Sequence, residues 1–176
     1  MAESFTSALK RFVGVVTTSS SGSIGITSTI ITGISTVGVS SGYLVDNANF
    51  IGGSKVSVVG VGSVTVDSTS TNTTLASTQS VSFVGLTTVY ASTGLKSILI
   101  GGTLANNTSN QVSATVQISS GSTSYNLFYK VPVPAGSSVV ISDAGKTLLN
   151  AGDEVRVGSS VANSLDVTLA ILQGVS

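Results

Sequence analysis

The sequence predicts an all-β protein: an antiparallel β-sandwich or jelly roll carrying a short N-terminal helix and an extended, β-rich arm. Three observations carry this expectation. The C-terminal half holds run after run in which apolar and polar residues alternate with period two. The runs are separated by turns rich in Gly, Asn and Pro, with no helical period between them. Charge is scarce, at 8% of the 176 residues, against ~25% in an ordinary globular protein.

The first element reads as a helix. Ser4 can cap it, and Phe5, Ala8, Leu9, Phe12 and Val13 then form one apolar stripe at helical spacing. Lys10 and Arg11 fall in its last turn, where they favour the negative end of the helix dipole, and Gly14 can end it. About ten residues are too few for an isolated helix, for which ~12–15 are needed, so the stripe has to dock, either over an open end of its own domain or on a partner subunit. Phe5, Leu9, Phe12 and Val13 are therefore the expected partner-binding residues. Residues 17–49 are rich in Ser, Thr, Gly and Ile. Short β-branched pieces there suggest extended segments that add strands to a neighbour. Residues 1–50 thus read as an assembly anchor.

Residues 51–90 read as a small β module. Val56, Val58, Val61, Val64 and Val66, interrupted at Gly60 and Gly62, suggest two strands about a tight turn. A polar connector (67–78) leads to a strand or bent pair over 80–91, with Gly85 as its bulge or turn. Residues 91–176 read as the sandwich. Strands are expected at 96–104, 111–119, 125–133, 137–142, 146–149, 153–159 and 165–173. In the second of these, Val112, Ala114, Val116 and Ile118 face one way. Leu127, Tyr129 and Val131 do so in the third, and Leu165, Val167, Leu169 and Ile171 in the last.

Composition bears on chemistry. His, Cys and Trp are absent, and Lys+Arg and Asp+Glu number 7 each, for a formal net charge of zero. The side chains that best serve as general bases, nucleophiles or transition-metal ligands are missing, so no catalysis and no cofactor are expected. No basic footprint suggests nucleic acid, and no run of ~18 apolar residues suggests a membrane helix. The apolar run Phe12–Val16 is shorter than a signal-peptide core of ~7–15 residues, so a cytosol-like compartment is expected. Ala144–Gly145–Lys146–Thr147 imitates the end of a phosphate-binding loop. The pattern, however, needs Gly where Val140 stands and a helix where a strand is expected. Asp153 and Glu154, adjacent on a strand, point to opposite faces and read as charge at the start of an edge strand. Asp143 and Asp153 in neighbouring turns are thin grounds for a cation site. The glycan-acceptor patterns at Asn72, Asn106 and Asn107 read as loops.

Two stretches carry a resemblance. Thr36–Val37–Gly38–Val39, Gly42–Tyr43–Leu44–Val45, Gly53–Ser54–Lys55–Val56 and Ser63–Val64–Thr65–Val66–Asp67 resemble a β module of bacteriophage virion proteins, notably those of marine cyanobacterial phages. Lys96–Ile118, with Val133–Pro134–Ala135–Gly136 and Asn150–Ala151–Gly152–Asp153–Glu154–Val155, resembles a β-sandwich domain of structural proteins in the same phages. The resemblance implies a non-enzymatic virion component assembled in the host cytoplasm. A capsid decoration or cement protein is the first expectation, and a tail, neck or fibre component the alternative. A host- or carbohydrate-binding module is more remote. The partners implied are other virion proteins (major capsid or tail and neck subunits) and further copies of the chain.

Overall fold

A computed structural model describes residues 3–141 and 146–175, and the backbone alone over 15–20. Among the described residues the protein is all-β, with antiparallel sheets and no helix. In chain order the strands are β1 (Ser4–Val13), β2 (Val15–Ile24), β3 (Ile30–Thr32), β4 (Leu44–Asp46), β5 (Val56–Gly60), β6 (Ser63–Val66), β7 (Ala76–Val84) and β8 (Thr87–Ala91). They continue with β9 (Lys96–Asn106), β10 (Val112–Ser120), β11 (Thr123–Val133), β12 (Ser138–Ile141), β13 (Thr147–Leu149), β14 (Glu154–Ser159) and β15 (Leu165–Val175).

The chain folds as two units. One comprises residues 1–14 and 86–176, the other 15–85. These limits differ from those expected at 50 and 90. The first unit is a pair of sheets, one ordered β1–β15–β9 with β12 and β13 sharing the far side of β9, the other β11–β10–β14–β8. One core lies between them. Leu99, Leu104, Leu165, Leu169 and Ile171 come from the first sheet, and Val112, Ala114, Val116, Val155 and Val157 from the second, all at 2% exposure or less. This is the arrangement of a β-sandwich, and the period-two alternation of β10 and β15 places their apolar residues inward as expected. The expected face of β11 is broken. Its pairing with β10 shifts twice, and Lys130 sits at φ +52°, so Leu127 and Phe128 both reach the core while Tyr129 stays exposed.

The expected N-terminal helix is absent. Ser4–Val13 is an edge strand paired along β15, from Ser4 opposite Gln173 to Val13 opposite Leu165. The apolar stripe is compatible with both states: Ala8, opposite Leu169, packs on the core, whereas Phe5 and Leu9 face away from it. A segment this short gains too little from helical propensity to compete with a full ladder of main-chain pairs, and Thr6, Phe12 and Val13 suit a strand. An irregularity between Lys10 and Val13 then lets the chain leave the sheet. Asp166 pins it, its carboxylate accepting the Phe12 N–H (3.1 Å) and pairing with Arg11 (3.6 Å). Phe12 adopts φ +53° there, under the Arg11 guanidinium.

The expected free arm is likewise absent, because residues 15–50 are built into the second unit. Its six strands run β4–β7–β2–β3–β6–β5. The two ends of this sheet then meet through main-chain bonds from Gly42 to Val56, Val56 to Tyr43 and Val45 to Ser54, which curl it closed on itself. Ile24, Ile31, Val64, Val66, Val81 and Phe83 fill the interior. The strands at 56–60 and 63–66 form the expected hairpin, with Gly62 at φ +62° in its turn. Serine is tolerated inside because its hydroxyls find partners. In the sandwich, Ser97 Oγ lies 2.8 Å from Tyr90 Oη and 3.1 Å from Ser92 Oγ, and Gln173 donates to Tyr90 Oη.

Candidate interaction surface

The outward face of the β1–β15–β9–β12/β13 sheet carries one group of exposed large apolar side chains; others, among them Val37, Ile51, Val58, Val61 and Leu75, lie on the second unit. Strand register shows how the group on the sheet forms. Ile171 opposite Leu99, and Leu149 opposite Ser97, point into the core, so the next residues along each strand point out. Phe5 lies opposite Leu172, Leu172 opposite Ile98, and Ile98 opposite Leu148, a row of four large apolar side chains across the sheet. A second row runs Leu9, Thr168, Thr103, Val140. Between them lies a row of small residues, Ser7, Ala170 and Gly101. Phe5 is 77% exposed, Leu9 69%, Val140 60% and Leu148 51%, values that leave the row ends fully available. The only ion pair on these strands among the described residues, Arg11–Asp166, sits at the end where β1 leaves the sheet.

Of the residues expected to bind partners, Phe5 and Leu9 belong to this face, on a strand rather than a helix. Phe12 is half exposed at the irregular end of β1, and Val13 is fully buried in the sandwich core. Leu148, Val140, Ile98 and Leu172 were not anticipated. Their signal was legible: Ile98–Ile100, Val139–Ile141, Leu148–Leu149 and Leu169–Leu172 are unbroken apolar runs inside strands, which make both faces of a strand apolar.

The motifs with chemical overtones resolve as follows. Residues 142–145, and with them Asp143, Ala144 and Gly145, lie outside the described residues; Thr147 begins a strand. Asp153 is buried, its carboxylate accepting the Asn150 N–H across a turn. Glu154 does not start an edge strand as expected, since β14 lies between β10 and β8. Its carboxylate accepts hydrogen bonds from Arg156 Nε (2.7 Å) and the Thr88 hydroxyl (3.0 Å). The Arg156 donor, opposed by partial burial and helped by Thr88, holds it below the usual Glu range. Among the described residues no three acidic side chains gather as a metal site. Asn106, one of the glycan-acceptor matches, is buried, and its amide is fully engaged with neighbouring main chain. No family model, curated protein or solved structure matches the chain.

Proposed function

We propose that this chain is a non-enzymatic structural protein of a bacteriophage particle, with capsid decoration or cement as its first assignment. The observation that carries this is the outward face of the sandwich. A face with Phe5, Leu9, Val140 and Leu148 exposed at its corners and no charge in the three rows between them is a liability on a free protein and an asset in an assembly. Assembly would therefore run through this sheet face, since residues 1–50 do not form a free arm.

The strand order adds support. With β12 and β13 counted as one position and β2–β7 set aside, the sandwich strands number one to eight along the chain. The sheets then read 1–8–3–6 and 5–4–7–2. We infer that this is a jelly roll, an architecture shared by viral capsid and lectin domains. The second unit would be a closed module carried in the connection between the first two strands. The resemblance of both stretches to phage structural domains points the same way.

A host-binding role is the second reading, favoured by Tyr125 and Tyr129 of edge strand β11, which are 60% and 63% exposed. The deciding experiment is quantitative mass spectrometry of gradient-purified particles of the phage that encodes the chain. Hundreds of copies per particle support capsid decoration, and a few to a few dozen move the protein to neck, tail or fibre. Particles that lack the chain overturn the proposal.

A further inference from the structure

We propose that the outward face of the β1–β15–β9–β12/β13 sheet closes on the same face of a second copy, giving a two-fold symmetric dimer. This rests on reading the face as an assembly surface and names its occupant. Three properties of the face select a second copy.

The first is charge. A self-facing interface sets each charged group near its own image, and like charges so placed repel. The three rows from Phe5–Leu148 to Leu9–Val140 contain no charged residue. Over the wider sheet face the charges are the Arg11–Asp166 pair at one end and Lys96 at the other, so a two-fold through the middle row sets none of them against its own image.

The second is relief. A two-fold axis lying in the interface, perpendicular to the strands and along the Ser7–Ala170–Gly101 row, exchanges the two outer rows while keeping strand order. Leu172 and Ile98, the bulky middle of one row, then lie over Thr168 and Thr103, the slender middle of the other. At the flanks Phe5 faces Leu9, and Leu148 faces Val140. Ser7, Ala170 and Gly101 let the sheets approach at the axis toward the ~10 Å separation of stacked sheets, with half-buried Ile100, the extra residue of the β9 register shift, beside Gly101 as the one large side chain there.

The third is area. Four strand positions at ~4.8 Å and nine to ten residues at ~3.3 Å give about 600 Å² per copy, or about 1,200 Å² in all. That reaches the lower limit of about 1,200 Å² for stable interfaces. The core of the contact is apolar, so association should hold across ionic strengths.

Sedimentation equilibrium of the full-length chain tests this. A dimer at tens of micromolar, equally populated in low and high salt, is expected. Because Leu148 faces Val140 of the second copy, Leu148→Lys with Val140→Lys should weaken dimerisation at least 100-fold. Leu148→Glu with Val140→Lys should restore it. Circular dichroism and thermal melting must show each variant folded. As a readout independent of charge, Phe5→Cys with Leu9→Cys in this cysteine-free chain should give a dimer with a short bis-maleimide, whereas Tyr125→Cys should not. A wild-type monomer at these concentrations, or a dimer indifferent to the paired lysines, overturns the proposal. Either result is separate from the particle count, so a monomer abundant in virions would remove the dimer and leave the assembly role standing.

Discussion

Asn106 is buried at one end of the sandwich, and its amide spans several segments of chain. Nδ2 donates toward the carbonyls of Asn110, Val133 and Pro134 at 2.8–3.1 Å, while Oδ1 accepts from the N–H and hydroxyl of Thr108. Asn106→Ala would strip the buried Val133 carbonyl of this donor and release the Thr108 turn. A cost of about 2–3 kcal/mol is expected, read as a shift of the urea midpoint with unchanged slope. Gly102 is constrained differently. It faces inward opposite Leu169, and a Cβ there would run into the Thr168 carbonyl oxygen and the Leu169 side chain. Gly102→Ala should therefore destabilise by about 2 kcal/mol or more, despite adding only a methyl group. Neither role is visible in the sequence, where Asn106 reads as one polar loop residue among several and Gly102 as one glycine of 20. Gly102 is constrained wholly, and Asn106 in part, by residues distant along the chain.

At the scale of elements, the sandwich and the closed module meet the chain at neighbouring points. Val15 pairs with Val84 in the module, and the Gly14 N–H donates to Thr87 Oγ1 in the sandwich. The ends of residues 15–85 are thus held close on both sides of the junction. Replacing residues 15–85 with a short Gly-containing turn should leave the sandwich folded, its near-ultraviolet dichroism and amide protection retained. Deleting residues 1–14 should not be tolerated in the same way, because it strips β1 from β15 and removes Val13 from the core. A truncated chain as stable as the full one would contradict this. The reading of Ser4–Val13 as a helix failed for a physical reason. Its apolar spacing suits two periodicities, and the deciding factor was the open edge of a strand at the far end of the chain.

At the scale of the whole molecule, two apolar cores share no residue. Scanning calorimetry should resolve two transitions, and a single one with equal calorimetric and van't Hoff enthalpies would show that the units unfold together. The pH profile follows from composition and one carboxylate. The chain has no His or Cys, so no side chain has its ordinary pKa between about 5 and 8, and stability should be flat there. Glu154 is held below the usual Glu range, so its contribution is present above that range and lost as pH falls through and below about 4.3. Because Glu154 and Arg156 are about a third exposed, that contribution is small. Glu154→Gln should lower the neutral plateau slightly and flatten the acid limb of a thermal-melting profile.

Antiparallel strands, the places of most of the C-terminal strands and the inward residues of β10 and β15 can be read from the residue order, because period-two alternation is a local property of the backbone. The sequence also held the two-sided apolar runs that make an outer face sticky. Tertiary structure alone decided that Ser4–Val13 joins the sandwich, that residues 15–50 close a separate module, and that Phe5, Leu172, Ile98 and Leu148 stand in one row. Those outcomes depend on register between strands remote in sequence, and register is set by which edges are left open once the cores have formed.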